Sequence, residues 1–329
     1  MKIAVIGATG LVGDKILRVL EERNVAISEF IPVASERSVG RKVEFNNTEH
    51  DVISIEDALN RGPDISIFSA GSDISKKWGP KFANANSHVI DNSSAWRMND
   101  DVPLIVPEIN GNKLTKKDLI IANPNCSTIQ LVMALSPLHN AYKIKRLVIS
   151  TYQSVSGSGA KAVNQLMDER KEIETDKEYP FQIDLNLLPH AGDFNEEGYT
   201  SEEIKIVNET NKILDANINT TATVVRVPVI TCHSESVNIE FENDFTVDEV
   251  KYLLESMPGV VVFDLPHANI YPMPILAVDK DEVMVGRIRR DFSQPRTLNM
   301  WVVADNLRKG AATNAVQIVQ YLISKGMVN

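Results

Sequence analysis

A strand that runs into a glycine-spaced turn and leaves it as a helix has few ways to fold, and this chain opens on that pattern. Lys2 to Ile6 is a short apolar run, Gly7-Ala8-Thr9-Gly10-Leu11-Val12-Gly13 follows, and Leu11, Ile16, Leu17, Val19 and Leu20 then recur at helical spacing. In that order Gly7 permits the tight turn and Gly10 lets the backbone approach a pyrophosphate. Gly13 brings the helix close to the sheet while its N-terminus faces the anion. Gly7, Thr9, Gly10, Leu11, Val12 and Gly13 are therefore the expected cradle for a dinucleotide, against the alternative of a glycine-rich turn that holds no ligand.

Further apolar runs at Phe30 to Ala34, Ile65 to Ser69, His88 to Ile90, Leu104 to Val106 and Leu119 to Ala122 alternate with helical or Gly/Pro/Asn-rich stretches. That alternation predicts an α/β fold with a doubly wound, mostly parallel sheet. After Asn125 the texture changes. β-rich stretches at Arg146 to Ser154, Thr221 to Val229, Val237 to Phe241, Glu282 to Arg289 and Thr297 to Ala304 predict an α+β lobe on a mostly antiparallel, mixed sheet. A last helix, roughly Asn306 to Ser324, carries Ala311, Ala315, Ile318, Val319 and Leu322 on one face. With 329 residues, two lobes are the first expectation.

The formal charge of −10 offers no basic block to a nucleic-acid backbone. No apolar run approaches the roughly 20 residues that cross a bilayer, and the start reads as a strand rather than a signal peptide. A cytoplasmic protein is expected. Two cysteines, Cys126 and Cys232, are too few for a disulfide framework or a Cys-rich metal site, so any work done by sulfur is that of a thiol, and no metal is expected.

Ser35-Glu36-Arg37-Ser38 follows the second strand, where an adenosine ribose is read. An Arg flanked by two hydroxyls suits a 2′-phosphate, which favours NADP, while Glu36 keeps NAD open. The strongest local signal is Asn123-Pro124-Asn125-Cys126-Ser127-Thr128. Asn125 is a natural N-cap and Cys126 falls in the first helical turn, where free N–H groups and the helix dipole lower a thiol pKa and can hold an oxyanion. Cys232 lies within a β-rich run and reads as a small buried hydrophobe. A thiolate beside a nicotinamide suggests addition to an aldehyde, hydride loss to the cofactor and a thioester. Of six histidines, His233 follows a strand that also carries Arg226, but spacing alone does not single it out.

Taken together, GATGLVG, NPNCSTIQ, TYQSVSGSG, the Arg226 to His233 segment, VGRIRRD and MWVVADNLRKGAA occur in an order that resembles the bacterial aspartate-β-semialdehyde dehydrogenases over essentially the full chain. The resemblance implies Cys126 as nucleophile, His233 as acid/base catalyst and Gln153 as the group orienting the acyl intermediate. It implies Arg226 on the substrate α-carboxylate, Glu202 on its amino group, and Lys205, Arg97 and Asn125 on phosphate. It places Ser35, Arg37 and Ser38 on the 2′-phosphate of NADP, and Ser156, Gly157, Gly159 and Asn306 along the nicotinamide cleft. Without it, Glu202 and Lys205 read as a solvated i, i+3 pair.

The fold so implied is a Rossmann-type NADP-binding domain (1–125 and 307–329) and a catalytic and dimerisation domain (126–306). The partners so implied are β-aspartyl phosphate, aspartate semialdehyde, phosphate and a second copy of the chain, in a homodimer or tetramer. Two other readings compete. N-acetyl-γ-glutamyl-phosphate reductase shares the chemistry but typically has Gly where this chain has Asn125, and a catalytically silent NADP sensor would not need Cys126, Gln153, Arg226 and His233 together.

Overall fold

The computed structural model describes residues 1–174 and 176–328; Thr175 and Asn329, which fall within the expected domain ranges, lie outside the described residues. The chain divides into two compact units, Met1–Asn125 with Ala311–Asn329, and Cys126–Gly310. The second division comes a few residues later than the expected 306/307, within a π-helical turn at Arg308–Ala312.

In the first unit, β1 (Lys2–Ile6), α1 (Leu11–Glu22), β2 (Glu29–Val33), the hairpin β3 (Lys42–Phe45) and β4 (Thr48–Asp51), and α2 (Ile55–Asn60) come first. They are followed by β5 (Ile65–Phe68), α3 (Ser72–Asn84), β6 (His88–Asp91), α4 (Pro107–Asn110) and β7 (Ile120–Ala122). The five-stranded sheet runs β2-β1-β5-β6-β7 and every pairing in it is parallel. Its strands read as continuous apolar runs because both faces are covered, one core lying under α1 and the other under α3. The chain steps from β1 outward to β2 and then crosses to β5, so the loops after β1 and β5 face each other at the carboxyl edge, the switch point where such sheets take ligands.

Leu104–Val106 is not the strand that its apolar run predicts. Pro103 and Pro107 flank it and cannot donate to a ladder, so it makes only a bridge from Leu104 to Ala122 before α4 begins. The hairpin turn at Asn46-Asn47, with both φ positive, carries no apolar alternation strong enough to have announced it.

In the second unit come α5 (Cys126–Tyr142), β8 (Ile144–Gln153), α6 (Ala160–Glu169), α7 (Ser201–Leu214), β9 (Asn219–Arg226), β10 (His233–Phe241) and α8 (Val247–Glu255). They are followed by β11 (Val260–Val262), α9 (Pro274–Ala277), β12 (Val283–Arg290) and β13 (Thr297–Ala304). The mixed six-stranded sheet runs β11-β12-β13-β10-β8-β9, with parallel pairs at both edges and antiparallel pairs between. Helix α5 is apolar nearly all round because it is enclosed, by the sheet on one side and by α7 and α8 on others.

The last helix, α10 (Thr313–Ser324), returns to the first unit and packs on α1 and α4, burying Ala315, Ile318, Val319 and Leu322. It starts later than expected, because Arg308–Ala312 forms the π-helical turn.

A Cβ at Gly13 would overlap the carbonyl of Gly7, and one at Gly7 would overlap that of Ser69 and force a side chain onto φ +92°. Gly13→Ala is therefore expected to lower unfolding stability by about 1–3 kcal/mol and to weaken dinucleotide binding. Urea unfolding and a cofactor titration of the same variant check this.

Candidate active site

Sheet register gathers the site in the second unit. Strands β8 and β9 run parallel and end together, with Gln153 opposite Arg226. Strand β10 runs antiparallel to β8, with Ser234 opposite Tyr152, so its first residue, His233, starts at the edge where β8 and β9 finish. The N-terminus of α5 meets that edge, and Cys126 Sγ lies 3.2 Å from His233 Nε2. Cys126 is partly accessible, whereas His233 and Gln153 are fully buried.

The other imidazole nitrogen fixes the tautomer. The backbone N–H of Ser154 donates to Nδ1 at 3.1 Å, and a nitrogen that accepts there has no proton of its own. The neutral ring therefore carries its proton on Nε2, directed at the sulfur. Ser154 Oγ also lies 3.1 Å from Nδ1 and 3.0 Å from Asn306 Oδ1, two acceptors that its single proton can serve in turn. Burial, then the nearby Arg226 charge, lower the His233 pKa to about 3, against weaker pulls from Glu202 and the Cys232 carbonyl. The ring is neutral at ordinary pH.

Arg226 is buried, with one guanidinium nitrogen donating to the Ser154 carbonyl at 3.2 Å and its Nε without a partner among the described residues. Gln153 donates to Ser127 Oγ at 2.8 Å and keeps a buried carbonyl oxygen that has no partner among them either. Both side chains thus retain polar atoms for something other than the protein.

Helix α7 brings Glu202 and Lys205, joined at 3.0 Å; Glu202 is buried, which removes it from the solvated-pair reading. The capping box of Thr200 with Glu203 sets that helix start, and Glu203 also accepts from the Val224 N–H on β9.

Asn306 is buried and turned inward. Its Oδ1 accepts from Ser154, Ser156 and the Cys232 N–H, and its Nδ2 donates to Ser156 Oγ, so it brackets the loops on either side of His233. A Cβ on Gly157 would come 2.8 Å from the Arg226 guanidinium and 3.0 Å from the His233 ring, whereas Gly159 (φ +92°) has open space around it.

Cys232 is buried as expected but lies before β10 rather than within a strand, at φ +77°, a conformation that turns the chain into His233. Gly310, which the family resemblance implies only as lining the cofactor cleft, is also a neighbour of the thiol: a Cβ there would come 2.9 Å from Cys126 Cβ.

In the first unit, a cleft of about 280 Å³ is lined by Gly7, Thr9, Gly10, Ser35, Ser69 and Ala70, among others. Leu11, Val12 and Gly13 form the first turn of α1 behind it, with no side chain capping that end. Arg37 and Ser38 sit on the 3₁₀ turn beyond Ser35, and Arg37 is exposed. A backbone cradle that a Cβ would fill, an open helix N-terminus and an adjacent cleft fit a dinucleotide. Arg97 is held by the Asn123 and Asn92 carbonyls at 3.0 and 2.7 Å, and Asn125 is buried at the end of this unit.

The folded His233 pKa, about 3, lies below the ordinary 6.5, so between these values the unfolded chain binds more protons than the folded one. This share of stability is complete above 6.5 and is lost as pH falls toward 3. The unfolding free energy of the wild type minus that of His233→Asn is expected to decrease as pH is lowered through this window; a flat difference would contradict the buried neutral ring.

Family models match stretches of both units. Residues 2–117 match the semialdehyde dehydrogenase NAD binding domain and residues 135–309 the semialdehyde dehydrogenase dimerisation domain. An aspartate-semialdehyde dehydrogenase of Aquifex aeolicus is 51% identical over 99% of both chains. The crystal structure of aspartate semialdehyde dehydrogenase II of Vibrio cholerae complexed with ASA is 40% identical, with a TM-score of 0.94 over 98% of each chain. That of the Candida albicans enzyme with NADP is 25% identical, with a TM-score of 0.79 over the whole of both. The chain belongs to the semialdehyde dehydrogenase family and, within it, to the aspartate-semialdehyde dehydrogenases.

Proposed function

We propose that the chain carries out the NADP-dependent reductive dephosphorylation of L-β-aspartyl phosphate to aspartate semialdehyde through a thioester on Cys126. The observation that carries this reading is the 3.2 Å contact between a partly accessible sulfur at a helix N-terminus and Nε2 of a buried imidazole.

The Cys126 thiolate, stabilised by the His233 Nε2–H and the helix N-terminus, adds to the acyl carbon; the bond to the phosphate oxygen breaks and phosphate leaves. A bound NADPH would supply the hydride that reduces this thioester. The tetrahedral alkoxide keeps the hydrogen bond from Nε2–H and then expels the thiolate, which yields the aldehyde with no proton transfer required. This is narrower than a proton shuttle, because the Ser154 N–H occupies the Nδ1 lone pair and a second ring proton would displace it.

Arg226 supplies a fork for the α-carboxylate, Glu202 a charge for the amino group, and Lys205, Arg97 and Asn125 donors for phosphate. Gln153, anchored on Ser127, directs its free oxygen to the acyl group.

For the cofactor, the exposed Arg37 between Ser35 and Ser38 favours a 2′-phosphate, and the relative solved with NADP agrees. The lysine, threonine, methionine and diaminopimelate routes are the destinations of such a product. A homodimer is supported by the dimerisation-domain match and by the face of the second sheet opposite α5, which carries the half-buried pair Tyr152 and Trp301 beside the exposed Ser236, Arg287 and Arg289.

Cys126→Ala should abolish phosphate-dependent NADP reduction with aspartate semialdehyde, a loss on the order of 10³-fold or more; activity near wild type would refute the assignment. Arg37→Ala should raise the KM for NADP by about tenfold, the scale of one lost charge-assisted contact, and leave that for NAD unmoved. Equal effects on both cofactors would remove Arg37 from phosphate recognition.

A further inference from the structure

The contact between Cys126 and His233 has a second pair stacked beside it. Cys126 and Gln130 lie one turn apart on α5, and His233 and Glu235 lie two residues apart on β10. Both spacings are about 6 Å, so the rung of sulfur and imidazole is followed by a rung of Gln130 and Glu235.

Glu235 is fully buried, its cross-strand partners being Thr151 on β8 and Val302 on β13. Among the described residues, neither of its carboxyl oxygens has a hydrogen-bond partner, nor do Gln130 Oε1 and Thr151 Oγ1. Gln130 Nε2 is turned toward the His233 carbonyl at 3.4 Å, an atom that only accepts. Its Oε1 therefore faces away from that carbonyl and needs a donor. A carboxylate has none to give, while a carboxylic acid has one.

The titratable groups adjacent to this rung are His233, two residues before Glu235 on the same strand, and Cys126, one turn before Gln130 on α5; His139 and Tyr142 lie at the far end of α5, Lys145, Arg146 and Tyr152 are on β8 and Glu240 is farther along β10, while Thr151 and Val302 stand directly across from Glu235 on β8 and β13. Burial drives the carboxyl well above its ordinary range, and the Gln130 amide is the one group opposing this.

We propose that Glu235 is a positioning residue of the reacting pair, held as the neutral acid so that its O–H satisfies Gln130 Oε1 while the same amide tethers the His233 main chain and keeps the imidazole on Cys126. Thr151 Oγ1, directly across the ladder, is the donor for the second carboxyl oxygen. The inference rests on Cys126 and His233 being the reacting groups.

Two variants separate the proton from the shape. Glu235→Gln can still donate to Gln130, and Glu235→Leu fills the space without donating. The infrared difference between wild type and Glu235→Gln at neutral pH should show the carbonyl stretch of a protonated carboxyl in the wild type. The kcat of Glu235→Gln should stay within about threefold of wild type. Glu235→Leu should lose about tenfold or more in kcat, the scale of a small misplacement of a catalytic group, at an unchanged KM and with an altered pH profile. Gln130→Leu, which breaks the tether from the other side, should give the same loss and keep the carboxyl band.

Absence of the band overturns the proposal. So does a wild-type kcat and pH profile in either leucine variant, or a Glu235→Gln as slow as Glu235→Leu. The band needs no substrate: a wild type without turnover would fail the functional reading, and the band would still decide whether Glu235 holds a proton.

Discussion

The backbone N–H of Ser154 donates to Nδ1 of His233, and the direction of the imidazole proton follows from that bond. Had a carbonyl stood there, the ring would carry its proton on Nδ1 and offer the sulfur a lone pair. With an N–H, it offers a donor. Burial and then the Arg226 charge hold the ring neutral. The sulfur is thereby placed between a helix N-terminus and a fixed N–H, an arrangement suited to a thiolate and later to an oxyanion.

The arrangement is a product of sheet register more than of any one segment. The parallel pair β8 and β9 brings Gln153 and Arg226 to one edge, and the antiparallel β10 starts there with His233. Around that edge the packing leaves little slack. A Cβ at Gly157 would crowd the Arg226 guanidinium and the His233 ring, one at Gly310 would crowd Cys126, and Asn306 bonds to both loops that frame the ring. A backbone at φ +77° at Cys232 is retained within that frame, where surrounding bonds over-determine it.

What could be read from the sequence is what is local. The glycine turn, the parallel alternation, and a cysteine opening a helix after Asn125 each depend on a few consecutive residues, and each lies where its pattern predicts. His233 was not distinguishable from five other histidines by spacing, since its partner in space is 107 residues away and only the antiparallel register of β10 connects them. Glu202 looked like a surface acid because its burial comes from the packing of α7. Ser154, Gln130 and Gly310 lie within the quoted motifs and Glu235 just beyond one, but the parts they play next to the thiol and the imidazole are not legible there, because these lie in hydrogen bonds and clearances made across elements. Leu104–Val106 was misread for a related reason: its apolar letters are those of a strand, but the prolines on both sides remove the donors that a strand needs.

The central claim, that His233 presents an N–H rather than a lone pair to Cys126, is open to ¹⁵N NMR of the imidazole in the resting protein. The expected spectrum at neutral pH shows a neutral ring with the proton on Nε2 and an unprotonated, hydrogen-bonded Nδ1. A proton on Nδ1 at that pH, in either the other tautomer or the imidazolium, would contradict the account and return His233 to the role of proton shuttle.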